Sequence, residues 1–444
     1  MGRRSHSTTL AVWMNGEHVG VWVTAANGAQ SFVYDDAWID SKTGRPLSLS
    51  LPMRPSSEPY TGPVLEAFFD NLLSDNREIR SRLRQRFSAR STDAFDLLAE
   101  LGRDCVGALQ ILPESAPRPD ITRTTAKGLD VAEVERAIDA CLGTVLGDDP
   151  DPDGFRLSLA GAQEKTAFLK RDGAWCEPLG ATPSTHIFKL PIGQAVQGLD
   201  LSTSVENELL CARLVAAFGI PVAPCSIETF GARKVLVVER FDRQLSADGS
   251  YWLRLPQEDF CQATGTPSEH KYERQGGPGI RRIMDLLVAS EKAESDRLDF
   301  FRTQVVYWLL AAIDGHAKNF SLFLHAGGAF DLTPRYDILS AHPYIRTGPG
   351  QLISRRVRMA MAVSGRNVHY RWDEIQARHW LETARRVRLP DARNRIEQIL
   401  ADVPGAIDQV RRQLPPGFPG AIAEAIFDGT SSAAETFRSG LAAL

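Results

Sequence analysis

Asp314 and Asn319 stand five positions apart in Ile313-Asp-Gly-His-Ala-Lys-Asn319, directly after the apolar run Val305 to Ile313. That is the spacing of the base and the metal-holding Asn in a D-x-x-x-x-N catalytic loop for phosphoryl transfer. Phe320 to Leu324, a Gly327-Gly328 turn and Ala329 to Leu332 then read as a hairpin, which delivers a second acid in Tyr336-Asp337-Ile338. Phosphoryl transfer requires a carboxylate to take the acceptor hydroxyl's proton and hard oxygen ligands for Mg²⁺ beside the phosphates. Asp314 fits the first role, and Asn319 and Asp337 fit the second. Singly, each has a plainer reading, since Asp beside Gly serves turns and Asn after a loop serves caps. The order of buried helix, spaced pair, hairpin and second acid favours the chemical reading. His316 and Lys318, inside the loop, either support it or face a phosphate.

Such a site needs a cation and a cradle for the phosphates. Lys189, on the strand-like run Thr185 to Leu190, supplies the cation, with Glu206 or Glu208 on the following helix as its partner; a surface lysine on an edge strand is the alternative. Ser158-Leu-Ala-Gly-Ala-Gln-Glu-Lys-Thr166 is the candidate cradle. It departs from the Walker A pattern, because Glu164 stands where Gly must precede the lysine. Small residues at Ala160, Gly161 and Ala162 still let backbone N–H groups approach phosphates, and Lys165 adds charge. A tight hairpin explains the same small residues. Val235 to Val238 reads as a strand running into Glu239-Arg-Phe241, where a backbone hydrogen bond and the Phe241 ring suit a nucleotide base. Glu239 pairing with Arg240 or Arg243 is the alternative there.

The elements that must position these groups are legible as pattern. Leu10 to Met14 and Val19 to Val23 flank Asn15-Gly16, the sign of a two-residue hairpin. Phe32 to Ile39 reads as a further strand, Val64 to Phe87 as helical, and Val131 to Leu142 as a helix. The helix from Val205 to Phe218 is entered through Thr203-Ser-Val-Glu206, a capping-box pattern. Arg80, Arg82, Arg84 and Arg86 read as a solvated helix face, with nucleic-acid contact as the minor alternative. The chain has 444 residues, 43% hydrophobic, which is enough for several cores. Its net charge of −4, from 51 Lys+Arg against 55 Asp+Glu, argues against free nucleic acid as the main partner. Cys105, Cys141, Cys176, Cys211, Cys225 and Cys261 form no C-x-x-C pair, so neither a zinc ribbon nor a disulfide framework is indicated. No apolar run reaches the roughly 20 residues of a membrane span, and Met1 to Thr9 lacks a signal peptide's apolar core. A cytoplasmic protein without a membrane partner is expected.

Five stretches in order, Ser158 to Thr166, His186 to Pro191, Val238 to Asp242, Asp314 to Asn319 and Tyr336 to Ile338, resemble the motifs of HipA-type toxin kinases of bacterial toxin–antitoxin modules. Phe68-Phe-Asp-Asn-Leu-Leu73 and Val106-Gly-Ala-Leu109 are similar to that family's amino-terminal subdomain. The resemblance implies an α+β, eukaryotic-protein-kinase-like two-lobed fold with an added amino-terminal α/β subdomain. Pro113 to Pro119, rich in proline, and Asp148 to Asp153, rich in acid, read as an exposed connector, so the chain divides into a subdomain at 1–115, a connector at 116–152, a strand-rich lobe at 153–243 and a helical lobe at 244–444.

The same resemblance implies an ATP- and Mg²⁺-dependent Ser/Thr protein kinase. Its acceptor would be an aminoacyl-tRNA synthetase, the glutamyl enzyme in the best-known members. Asp314 becomes the catalytic base, Asn319 and Asp337 the metal ligands, and Lys189 the ATP-phosphate lysine. Ala160, Gly161, Ala162, Gln163, Glu164 and Lys165 become the phosphate loop. Glu239, Arg240 and Phe241 flank the adenine, and His316, Lys318 and Tyr336 join the ATP-binding positions. Ser158 matches the position of inactivating autophosphorylation. A small helix-turn-helix antitoxin is the implied partner, with operator DNA bound only together with it. Residues 351–412 carry 13 Arg and no Lys against 7 Asp+Glu, Arg378, Arg385, Arg386 and Arg388 among them, and either face DNA phosphates or form a solvated surface. A small-molecule kinase of similar fold, or a protein acting chiefly as its antitoxin's corepressor, are the competing readings.

Overall fold

The computed structural model describes residues 7–142, 158, 160–161, 163–194, 199–346 and 351–444; Asp148 to Asp153, read as the exposed connector, and Ala162 lie outside them. The chain forms two compact units, each discontinuous in sequence. The first comprises Met1–Leu190, Glu228–Glu269 and Ser321–Phe330, the second Pro191–Ile227, His270–Phe320 and Asp331–Leu444. Compactness therefore cuts the chain differently from four consecutive segments.

In the first unit, Asn15 and Gly16 take φ of 46° and 77°, the left-handed pair a type I′ hairpin requires, and Met14 pairs with Glu17. Strands Tyr60–Thr61, Gln30–Tyr34, Glu17–Thr24, Thr8–Met14 and Leu109–Pro113 lie in that order in one sheet. The strand expected over Phe32 to Ile39 stops at Tyr34, because Asp35 caps a short helix, Asp36–Ile39, by accepting from Ala37 N. The single helical stretch expected over Val64 to Phe87 is two helices, Pro63–Asp70 and Arg77–Arg86. Asn76 starts the second by accepting from Glu78 N at 2.8 Å. Trp22 stacks on Phe69 of the first at 3.7 Å.

A second sheet of the same unit orders its strands Cys225–Phe230, Arg233–Glu239, His186–Lys189, Lys165–Arg171, Ala174–Pro178 and Ala126–Gly128. Residues read as connector thus supply an edge strand. They also supply the helix Val131–Cys141, which starts in a capping box between Asp130 and Glu133. Its Val134 and Ile138, four apart on one face, pack with Phe168, Trp175, Phe188 and Phe230. Composition marks the Pro-rich start of this stretch as a linker but does not reveal that its helical face finds a sheet.

The expected hairpin after Asn319 forms as Ser321–Leu324 and Phe330–Leu332, beside a third strand, Gln257–Asp259. On that strand Glu258 is fully buried and accepts from Leu49 N at 2.8 Å, and burial pushes its carboxyl up to about 8. The native chain therefore holds a proton here that the unfolded chain releases near pH 4.5, so stability falls as pH rises from there to about 8 and is flat beyond. The loss is on the order of 4 kcal/mol. Urea midpoints between pH 5 and 8.5 should show it, and Glu258→Gln, which mimics the neutral acid, should flatten the curve. An unchanged slope in that variant would refute the assignment.

The second unit is mainly helical, with Ser204–Ala217, Ala293–Leu309, Ala377–Arg386, Ala392–Gln413 and Gly420–Ala442 as its long members. The capping box expected at Thr203 and Glu206 does not form. Thr203 has φ −99° and ψ 19° and makes no side-chain cap, while Ser204 Oγ accepts from Ile192 N at 2.9 Å. Val305 to Leu309 are buried on all sides as expected, but the helix ends at Leu309 and Ala311 turns the chain at φ 47°. Among the described residues no helix is long and apolar enough to cross a membrane.

Candidate active site

The Asp314–Asn319 loop lies wholly in the second unit. Ala312 N closes back on Tyr307 O at 2.7 Å, so the buried helix ends in a tight turn that releases Asp314 at the surface. Gly315 must follow, because a Cβ there would meet the Tyr307 ring at 2.7 Å. The Asp314 carbonyl accepts from Asn319 Nδ2 at 2.8 Å and from His316 N at 2.7 Å, which folds the five-residue spacing into one closed loop. The Asp314 carboxylate is left outside this bonding, its side chain 53% exposed. His316 is buried with Nε2 4.0 Å from Asp314 Oδ1, and its ring meets Tyr272 edge-on at 5.0 Å. Lys318 is buried, and its carbonyl accepts from Tyr336 Oη at 3.0 Å, joining the loop to the Tyr336-Asp337 segment.

Asp337 takes φ 60°, a left-handed conformation that costs an L residue about 1 kcal/mol. Arg335, two residues before it, is anchored through Thr303 Oγ1 at 3.1 Å, and Ser340, three after it, through Asn207 Oδ1 at 2.8 Å. The backbone around Asp337 is therefore imposed by its neighbours. A magnesium ion suits these donors. The amide nitrogen of Asn319 is committed to the Asp314 carbonyl, so its oxygen would be the ligand, and Asp337 would add a carboxylate. Among the described residues no group of three His, Cys, Asp or Glu side chains gathers as a metal cage. Two protein oxygens plus nucleotide phosphates are a usual set for Mg²⁺.

The remaining expected residues lie in the first unit. Lys189 is buried and sits opposite Lys165 in the strand register. Gly161 has φ 104° and pairs with Ser74, whose Oγ donates to the Gly161 carbonyl at 2.7 Å; Asp75 N donates to the same oxygen at 3.3 Å. Glu164 forms an ion pair with Arg82, Gln163 Nε2 donates to Leu190 O, and Lys165 Nζ donates to Ala160 O. The arginine helix is therefore not merely a solvated face, since one of its side chains holds the loop. Ser158 is buried, with Oγ donating to Leu72 O at 2.8 Å and N to Asp104 O at 3.2 Å.

Phe241 sits edge-on to Phe323 at 5.8 Å, while Glu239 ends its strand exposed. Arg240 differs from the expectation. Its guanidinium is turned away into a buried cluster with Asp104, Asp242 and Ser184, so only its backbone can serve a nucleotide, and surface pairing of Glu239 with Arg240 or Arg243 is excluded. Glu206 and Glu208 are buried in their helix in the second unit. In the arginine-rich stretch, Arg385 and Arg386 share Glu382, and Arg378 Nε donates to His379 Nε2 at 3.4 Å, so local partners occupy much of that charge. Tyr272, Ser74 and Asp104 were not singled out by pattern, and Arg82 was read only as part of a solvated face, for each acts across a long sequence separation.

The HipA N-terminal domain is matched by residues 10–112 and the HipA-like C-terminal domain by residues 157–410. The chain is 35% identical over 412 residues to the Y4mE protein of Sinorhizobium fredii, covering 90% of this chain and 91% of that one. It is 28% identical over 322 residues to the serine/threonine-protein kinase toxin HipA of Shewanella oneidensis, covering 70% of each. The structure of HipA from Shewanella oneidensis MR-1, solved with HipB and its operator DNA, superposes with a TM-score of 0.79 at 24% identity over 98% of both chains, a likeness of fold. With both domains matched in order, the α+β kinase-like architecture holds, and the chain belongs to the HipA family of serine/threonine-protein kinase toxins.

Proposed function

We propose that this kinase transfers the γ-phosphate of Mg-ATP to a serine of an aminoacyl-tRNA synthetase, the glutamyl enzyme first, and so arrests translation. The observation that carries the chemistry is the closed Asp314–Asn319 loop, in which one side chain holds the other's backbone and leaves the carboxylate half-exposed at the surface. Asp314 accepts the serine proton as its oxygen attacks the γ-phosphorus, and the bond to the bridging oxygen of ADP breaks. Lys189, Lys165 and the Ala160–Lys165 loop would hold the phosphates, and Asn319 and Asp337 would hold the magnesium, which when bound would supply positive charge against the charge developing on the phosphate oxygens. His316, Lys318 and Tyr336 brace the loop, and Glu239 with Phe241 frames the base.

Ser158 is the site of self-inactivation in this reading. Phosphate on its oxygen adds about two negative charges where the hydroxyl now points at a carbonyl oxygen, so the modified residue cannot return to its place and the loop behind it is released. A HipB-like helix-turn-helix antitoxin and, through it, operator DNA complete the partners. Incubating the purified chain with labelled ATP, Mg²⁺ and purified glutamyl-tRNA synthetase with its tRNA tests this. Label is expected on a serine of the synthetase and, by phosphopeptide mass spectrometry, on Ser158. Label on Ser158 but not on the synthetase would overturn the target; label on neither, with ADP formed, would favour a small-molecule acceptor.

A further inference from the structure

The geometry points to Tyr272 as the residue that discriminates a protein hydroxyl from water at the catalytic base. This rests on Asp314 being that base. The phenol O–H of Tyr272 donates to Asp314 Oδ1, which is the bond the acceptor's hydroxyl must make before transfer. The residue is built into this place. Its ring stands at 87° to the His316 ring, and Ala317 N of the catalytic loop donates to Lys271 O at 3.3 Å. Its own carbonyl accepts from Gln275 N at 2.9 Å and Gly277 N at 3.1 Å. The segment is thus fastened to the loop through Lys271 and closed into its own turn through the Tyr272 carbonyl.

An open carboxylate in an exposed loop binds water, and water on Asp314 is a competent nucleophile. Its oxygen would attack the γ-phosphorus, the bond to the bridging oxygen would break to give ADP and inorganic phosphate, and its proton would pass to Asp314. A tyrosine hydroxyl on Oδ1 holds that place with a hydrogen bond to a charged acceptor. A protein acceptor brings binding energy from its remaining contacts and displaces the phenol; water brings none. Tyr272 therefore makes transfer depend on an acceptor that is held elsewhere on the enzyme.

Tyr272→Phe keeps the ring against His316 and removes only the hydroxyl. With the full chain in Mg-ATP and no added protein, inorganic phosphate and ADP are measured together as initial rates. The variant is expected to release inorganic phosphate about fivefold faster, the equivalent of one typical net hydrogen bond, with a higher ratio of inorganic phosphate to protein-bound phosphate and an unchanged KM for ATP. A purely structural tyrosine would lower both products together and leave their ratio fixed; that result, or unchanged hydrolysis, overturns the inference. Asp314→Asn combined with Tyr272→Phe should return hydrolysis to background. If Asp314→Asn alone keeps full phosphoryl transfer, the assignment of the base fails and the role of Tyr272 falls with it, which separates the two failures.

Discussion

Asp314→Asn is expected to slow phosphoryl transfer by about 10³-fold while leaving the thermal midpoint within about 2 °C of the parent. Both halves follow from the same local structure. The loop is closed through the Asp314 carbonyl, which accepts from Asn319 Nδ2 and His316 N, and an asparagine keeps that carbonyl in place. What it removes is a half-exposed carboxylate whose hydrogen bond from Tyr272 an amide oxygen can still receive. The fold therefore loses little, and the reaction loses its proton acceptor. Initial rates of serine phosphorylation, beside a melting curve, check both. A rate within tenfold of the parent would remove Asp314 from the mechanism; a lost fold would show that the carboxylate serves structure.

The second large effect concerns stability and lies away from the base. Asp104, Asp242, Arg240, Arg243 and Arg254 are all buried in the first unit. Asp104 Oδ1 takes Arg243 Nη2 at 2.9 Å and Arg254 Nη2 at 3.3 Å, and Oδ2 takes Ser184 Oγ at 2.6 Å, Ser184 N at 3.0 Å and Arg240 Nη1 at 3.3 Å. Burial pushes the Asp104 carboxyl up, but the three guanidiniums and the Ser184 hydroxyl outweigh it and hold it below the usual carboxylate range. Three arginines against two aspartates already leave one uncompensated positive charge, which backbone carbonyls such as Cys105 O and Gly107 O help to hold.

Asp104→Ala would leave two such charges in the dark, and removing one partner of a buried ionic network costs about 3–5 kcal/mol. The urea midpoint should fall accordingly, and Asp104→Asn, which keeps the shape and part of the bonding, should fall less. A loss under about 1 kcal/mol in the alanine variant would mean that water reaches the cluster. Because the folded carboxyl is depressed, its contribution is present above the unfolded carboxylate value and disappears only as pH falls through the lower folded value. Gly107 N also donates to Asp242 Oδ2 at 2.7 Å, so the cluster ties the turn before Leu109 to the segment that holds Arg240 and Asp242.

Reading the chain in order found what neighbours in sequence decide. The Asn15-Gly16 turn, the buried run ending before Asp314, the five-residue spacing to Asn319 and the hairpin after it all depend on residues within a few positions of one another. Periodicity and turn chemistry report such features directly. The same method misjudged places where a distant partner intervenes. Thr203 carries a capping-box pattern, yet Ser204 is bonded to Ile192 and no box closes. The stretch after residue 115 looks like linker apart from its helix, yet a strand of it joins a sheet and the expected helix packs into a core.

The residue types and spacing at Lys165, Lys189, Asp314, Asn319 and Asp337 by themselves raised phosphoryl transfer as the expectation, because that reaction calls for a base, metal ligands and cations for the phosphates. Only the tertiary structure decided which hydroxyl rests on the base, 42 residues upstream at Tyr272, and what grips the phosphate loop, 87 residues upstream at Ser74. It also decided that Arg240 faces Asp104, 136 residues away, and not a nucleotide. The physical reason is common to all three. A hydrogen bond or ion pair forms wherever folding brings donor to acceptor, and contacts closed over so long a loop leave no period, spacing or composition in the sequence between them.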